Sequence, residues 1–284
     1  MFTNFRNTIA LILLLSVACP VDAAWRDVKE IVAMASIATN VPSGELATVG
    51  YLESSFRPSV KSKHGSATGL MQITKPTWDY LVRTYGSAYD ITKVTLPTDP
   101  RANSIMAALY LKENRVIMER RLKRNISVLE LYLGHKFGPE RATRLLTADG
   151  DRTLLDFYPG AASRNKQVYY HTGGVPKTIN EVKHMFELRV SRAYQKYAGL
   201  ALLEVAKVKA AVFTKYQLAY SRGAKDCVAT NPSPTEILAA LATVTTGTYL
   251  HSATVVETGE YNMFTYIGFA GGYTSGKRFN GYLV

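Results

Sequence analysis

The sequence predicts a mainly α-helical domain followed by a small C-terminal module of different character. Apolar residues recur at helical spacing from Trp25 onward, and Pro, Gly and Ser fall between the periodic segments, where turns belong. The segment 261–284 is instead rich in Tyr, Phe and Gly and alternates like short strands. We therefore predict three parts, which are a leader over residues 1–23, a helical domain over residues 25–198 and a module of unknown role over residues 199–284.

The first 23 residues have the pattern of a secretory signal peptide. Arg6 precedes an apolar run from Ile9 to Ala18, and small residues surround Ala23. The run is shorter than the roughly 20 apolar residues of a membrane span. We expect cleavage after Ala23 and export to the periplasm or cell envelope. Lipidation of Cys19, which lies in a lipoprotein-like box, and a leader retained as a membrane tether are the alternatives.

Seven helices are predicted along the helical domain. The first covers residues 26–39, where apolar side chains recur on one face. Pro42 is expected to end the first helix. Ser43 is the expected N-cap of a second helix that runs through Glu53. The others are expected near residues 76–85, 100–122, 127–137, 139–147 and 178–198. Beyond them, residues 199–220 indicate a further amphipathic or buried helix.

The composition is that of a globular protein with excess positive charge. Hydrophobic residues make up 47% of the 284 residues and charged residues 20%, which excludes a disordered or collagen-like chain. The formal net charge is +12, and +10 of it lies in residues 24–198. A basic domain favours an anionic partner, such as nucleic acid, a phospholipid surface or an anionic cell-wall polymer.

Cysteine-based, metal-based and nucleotide-based chemistry is not indicated. Only Cys19 and Cys227 occur, and the five histidines lack the two-histidine helical spacing of zinc proteases. The sequence contains neither a Walker loop nor a dinucleotide fingerprint. We expect no metal and no cofactor. Nucleic acid is not expected as a partner either, because the basic run Glu119–Arg124 fits a solvated helix face.

The most informative stretch is YLESSFRPSVKSKHGSATGLMQIT, residues 51–74. Glu53 lies at the C-terminal end of an apolar helix, between Leu52 and Phe56. A Pro-containing loop then leads to a Gly-flanked apolar turn that ends at Gln72. Apolar neighbours desolvate a carboxyl group and raise its pKa, which keeps it protonated near neutral pH as a general acid requires. Glu53 is therefore the candidate catalytic acid.

The spacing of several residues in this stretch resembles that of the soluble lytic transglycosylase family, lysozyme-like enzymes that cleave bacterial peptidoglycan. The matching residues are the pair Glu53-Ser54, then Phe56, Pro58, Ser62 and Gly65, and the string Gly69-Leu70-Met71-Gln72-Ile73. One residue more than expected lies between Ser62 and Gly69. The resemblance implies a lysozyme-like catalytic domain, mainly helical with minor β structure.

Two later segments extend the resemblance to roughly residues 28–195. Ala107–Leu111 fits the family helix that packs behind the cleft. Leu131–Pro139 falls where the family has Ala-Tyr-Asn-Ala-Gly, with Tyr132 kept and Leu133 at the Asn position. This variant resembles the transglycosylases of large bacteriophages more closely than the typical bacterial ones. Two origins stay open: a phage enzyme, either a lysin or part of the virion, and a bacterial envelope enzyme.

The resemblance implies a mechanism with one carboxylate, whereas most glycosidases use two. One Glu protonates the glycosidic oxygen between N-acetylmuramic acid and N-acetylglucosamine, and then acts as a base on the muramyl 6-hydroxyl to give a 1,6-anhydro sugar. The expected partner is the peptidoglycan glycan strand. Carried onto this sequence, the catalytic residue is Glu53, and the substrate-binding residues are Ser62, Gln72, Tyr132, Tyr169 and Tyr170.

Two other functions stay open at this point. A distant acid such as Asp99 or Asp156 would supply the second carboxylate of a lysozyme-type hydrolase. Alternatively, the altered segment around Tyr132 is compatible with a non-catalytic wall-binding or assembly protein that keeps the fold. The presence of Glu53 and Gln72 argues against loss of activity.

Overall fold

The computed structural model describes residues 22–63 and 65–221, and these residues are mainly helical, as predicted. Isolated β-bridges take the place of a sheet within this part of the chain. No helix among the described residues has the length and apolar character that crossing a bilayer requires. The helices are α1 (Ala23–Thr39), α2 (Ser43–Ser54), α3 (Lys75–Tyr85), α4 (Pro100–Leu122), α5 (Val128–Phe137), α6 (Pro139–Thr147), α7 (Leu154–Phe157), α8 (Pro159–Arg164), α9 (Lys166–Tyr169) and α10 (Ile179–Ser221).

All seven predicted helices are present; six have both ends within three residues of the expected ones, and α10 extends well beyond residue 198. The N-cap prediction for α2 is wrong by one residue: Pro42 is the N-cap, and Ser43 is a buried residue of the first turn whose side chain does not cap the helix. The short helices α7, α8 and α9 were not predicted, because segments of four to six residues carry too little periodicity to detect.

Helix α10 continues past the predicted division at residue 199. Gly199 lies inside the helix, and Ala201, Val205 and Val208 beyond it are still buried. A single glycine costs a helix only about 1 kcal/mol, which packing readily offsets. The division of the chain into two parts stays a prediction. The predicted leader up to Val21 and residues 222–284 of the predicted module, with Cys19 and Cys227, lie outside the described residues.

Helix α2 is the central element of the domain. Each residue from Ser43 to Gly50 is buried, as expected of a helix that other helices cover on all sides. It packs against α1, α4 and α10. Gly44 permits α2 and α10 to approach each other closely, because a β-carbon at this position would lie 2.9 Å from the Cβ of Ala198 on α10. This packing gives the C-terminal end of α2 a rigid support.

Local sequence sets the ends of the two helices that face α2 and its loop. Asp99 caps α4 by accepting a hydrogen bond from the Ala102 N–H at 2.8 Å, and Pro100 occupies the first turn. Helix α5 begins with a capping box in which Ser127 and Glu130 each bond the other's backbone N–H. These caps fix the starting points of both helices and therefore the positions of the side chains they carry.

Candidate active site

Glu53 lies in the last turn of α2, where the chain reverses sharply. Ser55 and Phe56 both adopt left-handed backbone conformations, with φ of 51° and 61°. The Phe56 N–H donates to the Gly50 carbonyl at 3.2 Å. The Phe56 ring is buried, and its centroid lies 5.0 Å from that of the Trp25 ring. The strained reversal is thus held by burial of a large aromatic ring. It leaves the Glu53 side chain at the end of a buried helix, with 13% of its surface exposed.

Ser54, the second residue of the Glu-Ser pair, ties this reversal to the Gly69–Ile73 segment. Its buried hydroxyl donates to the Leu70 carbonyl at 2.7 Å and accepts the Arg57 N–H at 3.1 Å. The serine therefore has a structural role, which is to join two parts of the sequence motif that are 16 residues apart.

Asn103 on α4 holds the same segment from the other side. Its Oδ1 accepts the Met71 N–H at 2.7 Å, while its Nδ2 donates to the carbonyls of Thr68 at 3.2 Å and Pro97 at 2.9 Å. The side chain is completely buried. Asn103 was not predicted as part of the site. The available signal was a polar residue inside the apolar stretch of α4, which by itself does not say what the side chain bonds.

Helix α5 presents three side chains to the site, Tyr132, His135 and Lys136. They lie on one face of the helix, because residues three and four positions apart are neighbours on a helix surface. The Tyr132 hydroxyl donates to Glu53 Oε1 at 2.7 Å, and Lys136 Nζ lies 3.5 Å from the same oxygen. His135 Nε2 lies 2.9 Å from the Met71 carbonyl. Because a carbonyl only accepts, Nε2 carries the proton. Neither His135 nor Lys136 was predicted as part of the site.

The pKa of Glu53 is lowered, so the prediction of a raised pKa is wrong. Burial does raise the pKa of this carboxyl, and it is the largest single influence. The positive charge of Lys136, that of His135 at the low pH where its ring is protonated, and the hydrogen bond from Tyr132 together outweigh it. Burial lowers the pKa of His135, so this ring is neutral near pH 7 and Lys136 is then the main counter-charge. Glu53 is accordingly ionised in the free protein at neutral pH.

Of the predicted tyrosines, Tyr132 and Tyr169 lie near Glu53. Burial and the charge of Glu53 raise the pKa of both hydroxyls, which keeps both tyrosines neutral. The Tyr169 ring is buried beside Phe137 and Phe186. Tyr170 is half-buried and forms a β-bridge with Pro176 through its backbone.

Ser62 and Gln72 lie in the loop that follows α2, and in the described part of the chain neither hydrogen-bonds Glu53. The Ser62 N–H donates to the Ala67 carbonyl at 2.8 Å. The Gln72 amide donates to the carbonyls of Val60 at 2.9 Å and Gly69 at 3.0 Å. Gln72 therefore closes the loop with its Nε2, and only its Oε1 is left for a sugar. The substrate-binding roles of these residues stay predictions.

The two acids considered as second carboxylates both act as helix caps. Asp99 caps α4, and Asp156 accepts the Thr153 N–H at 2.9 Å at the start of α7. The main influences on the pKa of Glu53 include no carboxylate. Among the described residues, no group of three or more His, Cys, Asp and Glu side chains is arranged to hold a metal ion.

A comparison with protein-family models matches residues 30–133 to the family described as "Transglycosylase SLT domain". The matched segment runs from α1 into α5 and contains Glu53, Ser62, Gln72 and Tyr132. It ends before His135 and Lys136, and α10 lies wholly beyond it.

Proposed function

Because this chain carries a domain of the transglycosylase SLT family, whose members are peptidoglycan lytic transglycosylases, we propose that Glu53 is its general acid and base. The enzyme acts on peptidoglycan. The observation that carries the assignment of Glu53 is its placement: the carboxyl group ends the buried helix α2, lies within the matched segment and accepts a hydrogen bond from Tyr132.

The reaction proceeds with Glu53 in both protonation states. In its protonated form Glu53 donates its proton to the glycosidic oxygen as the bond between the muramyl C1 and that oxygen breaks. The resulting carboxylate is stabilised by the Tyr132 hydroxyl and the Lys136 ammonium group. Glu53 then removes the proton of the muramyl 6-hydroxyl as its oxygen bonds to C1. The carboxyl group is restored, and no water is consumed.

Bound substrate favours the protonated form that the first step needs. In the free enzyme only 13% of the Glu53 side chain is exposed. A glycan strand bound over Glu53 would exclude the remaining water from its carboxyl group. Further desolvation raises the pKa of a carboxyl group. The free enzyme thus holds Glu53 as a carboxylate, and the complex shifts it towards the acid.

The proposed product is a 1,6-anhydro sugar. Asp99 and Asp156 are occupied as helix caps, so neither of these two candidate acids is available to activate water. The muramyl 6-hydroxyl belongs to the substrate itself, and such intramolecular groups reach effective concentrations of about 10⁵ M or more when well oriented. The 6-hydroxyl therefore captures C1 before water does.

Digested peptidoglycan is expected to yield 1,6-anhydro-muropeptides, each lighter by one water than its hydrolysed counterpart. Mass spectrometry of the soluble fragments distinguishes the two, with a lysozyme digest as the control. Fragments that carry only reducing-end muramic acid identify a hydrolase instead and make Asp99 and Asp156 the acids to replace. Folded enzyme that releases no fragments supports a wall-binding role.

We also propose that the protein is exported and that its basic surface retains it on an anionic wall. Signal peptidase would cleave after Ala23, so the mature chain is expected to begin at Ala24. Mass spectrometry of protein recovered from a bacterial envelope measures this end directly. An acylated Cys19 identifies a lipoprotein, and an intact Met1 identifies a tethered form.

A further inference from the structure

Lys136 lies in the last turn of α5 with its ammonium group directed at Glu53. Its Nζ is 3.5 Å from Glu53 Oε1, the same oxygen that accepts the Tyr132 hydroxyl. The Nζ is also 5.9 Å from the ring centroids of both Tyr132 and Phe186. The ammonium group therefore lies beside two aromatic rings, and 30% of the side chain is exposed. An ion pair shielded in this way is stronger than one on an open surface.

The other titratable groups around the pair do not supply this charge at neutral pH. On α5, Tyr132 is neutral and the pKa of His135 is lowered by burial. On α9, Tyr169 is neutral. On α10, Arg189 acts on the two tyrosines and is not among the main influences on Glu53. Within residues 22–63 and 65–221, Lys136 is thus the cation that forms an ion pair with Glu53.

We propose that Lys136 is a positioning residue that holds the Glu53 carboxylate against the Tyr132 hydroxyl and sets the pH range in which Glu53 can donate a proton. The proposal rests on the proposed role of Glu53 as the general acid. Lys136 lies beyond the segment that matches the family model, so the match does not assign it.

The sign of the effect follows from the charge. An ammonium group favours the ionised carboxyl group, so the protonated fraction of Glu53 falls at a lower pH than it would without Lys136. The same charge stabilises the carboxylate that forms after proton donation, which accelerates the chemical step. Removing the charge should therefore move the alkaline limb of the activity profile to higher pH and lower the maximal rate.

The test compares Lys136→Met, which keeps most of the stem, with Lys136→Arg, which keeps the charge. The matched control is Lys207→Met, which removes a charge from an exposed lysine on α10. We expect Lys136→Met to lower the maximal kcat/KM on purified peptidoglycan about tenfold and to shift the alkaline limb upward. Lys207→Met should keep the parental profile, and Lys136→Arg, which retains the positive charge, should keep the alkaline limb near its parental pH. Lys136→Gln is the second neutral variant if Lys136→Met does not fold.

A measurement without substrate separates this proposal from the proposed function. The carbon-13 NMR signal of the Glu53 carboxyl group, assigned by its loss in Glu53→Gln, reports its titration directly. We expect the Glu53 titration to move to higher pH in Lys136→Met and not in Lys207→Met. An unchanged titration in folded Lys136→Met overturns the role of Lys136. A shifted titration with an unchanged activity profile overturns the role of Glu53 as the acid, and the pH-setting role with it, while the ion pair stands.

Discussion

Glu53→Gln is expected to fold like the parent and to cleave peptidoglycan at least about 10²-fold more slowly. The amide has the shape of the carboxyl group, and its oxygen can still accept the hydrogen bond from Tyr132. It cannot donate a proton to the glycosidic oxygen or accept one from the 6-hydroxyl. Lys136 loses its partner but is 30% exposed, so water can hydrate the ammonium group.

Loss of turbidity of purified peptidoglycan measures this effect, and circular dichroism checks that the variant is folded. The matched control is Glu140→Gln, because the Glu140 side chain is 64% exposed on α6 and pairs with the surface residue Arg121. The control should retain parental activity. Activity of Glu53→Gln within a few-fold of the parent contradicts the assignment of Glu53.

Asn103→Ala is expected to lower the free energy of unfolding by about 3 kcal/mol or more. The change removes three hydrogen bonds and takes this partner from the Met71 N–H and the Pro97 carbonyl, while the Thr68 carbonyl keeps the hydrogen bond from the Ile73 N–H. Each buried polar group left unsatisfied costs about 1–3 kcal/mol. Activity should fall as well, because the released segment precedes Gln72 and contacts His135.

Chemical denaturation of the variant and the parent gives the change in stability. Ser104→Ala is the control, since Ser104 is the next residue, is equally buried and donates to the Pro100 carbonyl one turn earlier on α4. It should cost about 1 kcal/mol. Equal destabilisation by the two substitutions excludes Asn103 as the residue that fixes the loop.

Glu53 could be proposed as the acid from the sequence because its context is local. The apolar run before it, the Pro and Gly residues after it and the spacing to Gln72 all lie within about 20 residues. The neighbours that set its charge are far along the chain, since Tyr132 is 79 positions away. The flanking residues Leu52 and Phe56 suggested a protonated acid. The charge of Lys136 instead lowers the pKa of Glu53 and favours the ionised form.

Ser54, Gln72 and Asn103 illustrate the same limit for hydrogen bonds. The sequence marks Ser54 and Gln72 as members of a motif, but their partners at Leu70, Val60 and Gly69 exist only after the loop has folded back on α2. Asn103 has no local signal of its role, because each of its partners lies on a loop that packs against α4.

Helical periodicity, caps and turn residues act over one or two turns of chain, so the seven longer helices and the position of the candidate acid could be predicted from the amino-acid sequence. How α5 meets the end of α2 depends on long-range packing, which these local patterns do not reveal. That contact brings Tyr132, His135 and Lys136 to Glu53 and to Met71, and it sets the direction of the Glu53 pKa. The physical reason is range: electrostatic and hydrogen-bond partners act through space at a few ångströms, and sequence separation does not predict which residues reach that distance.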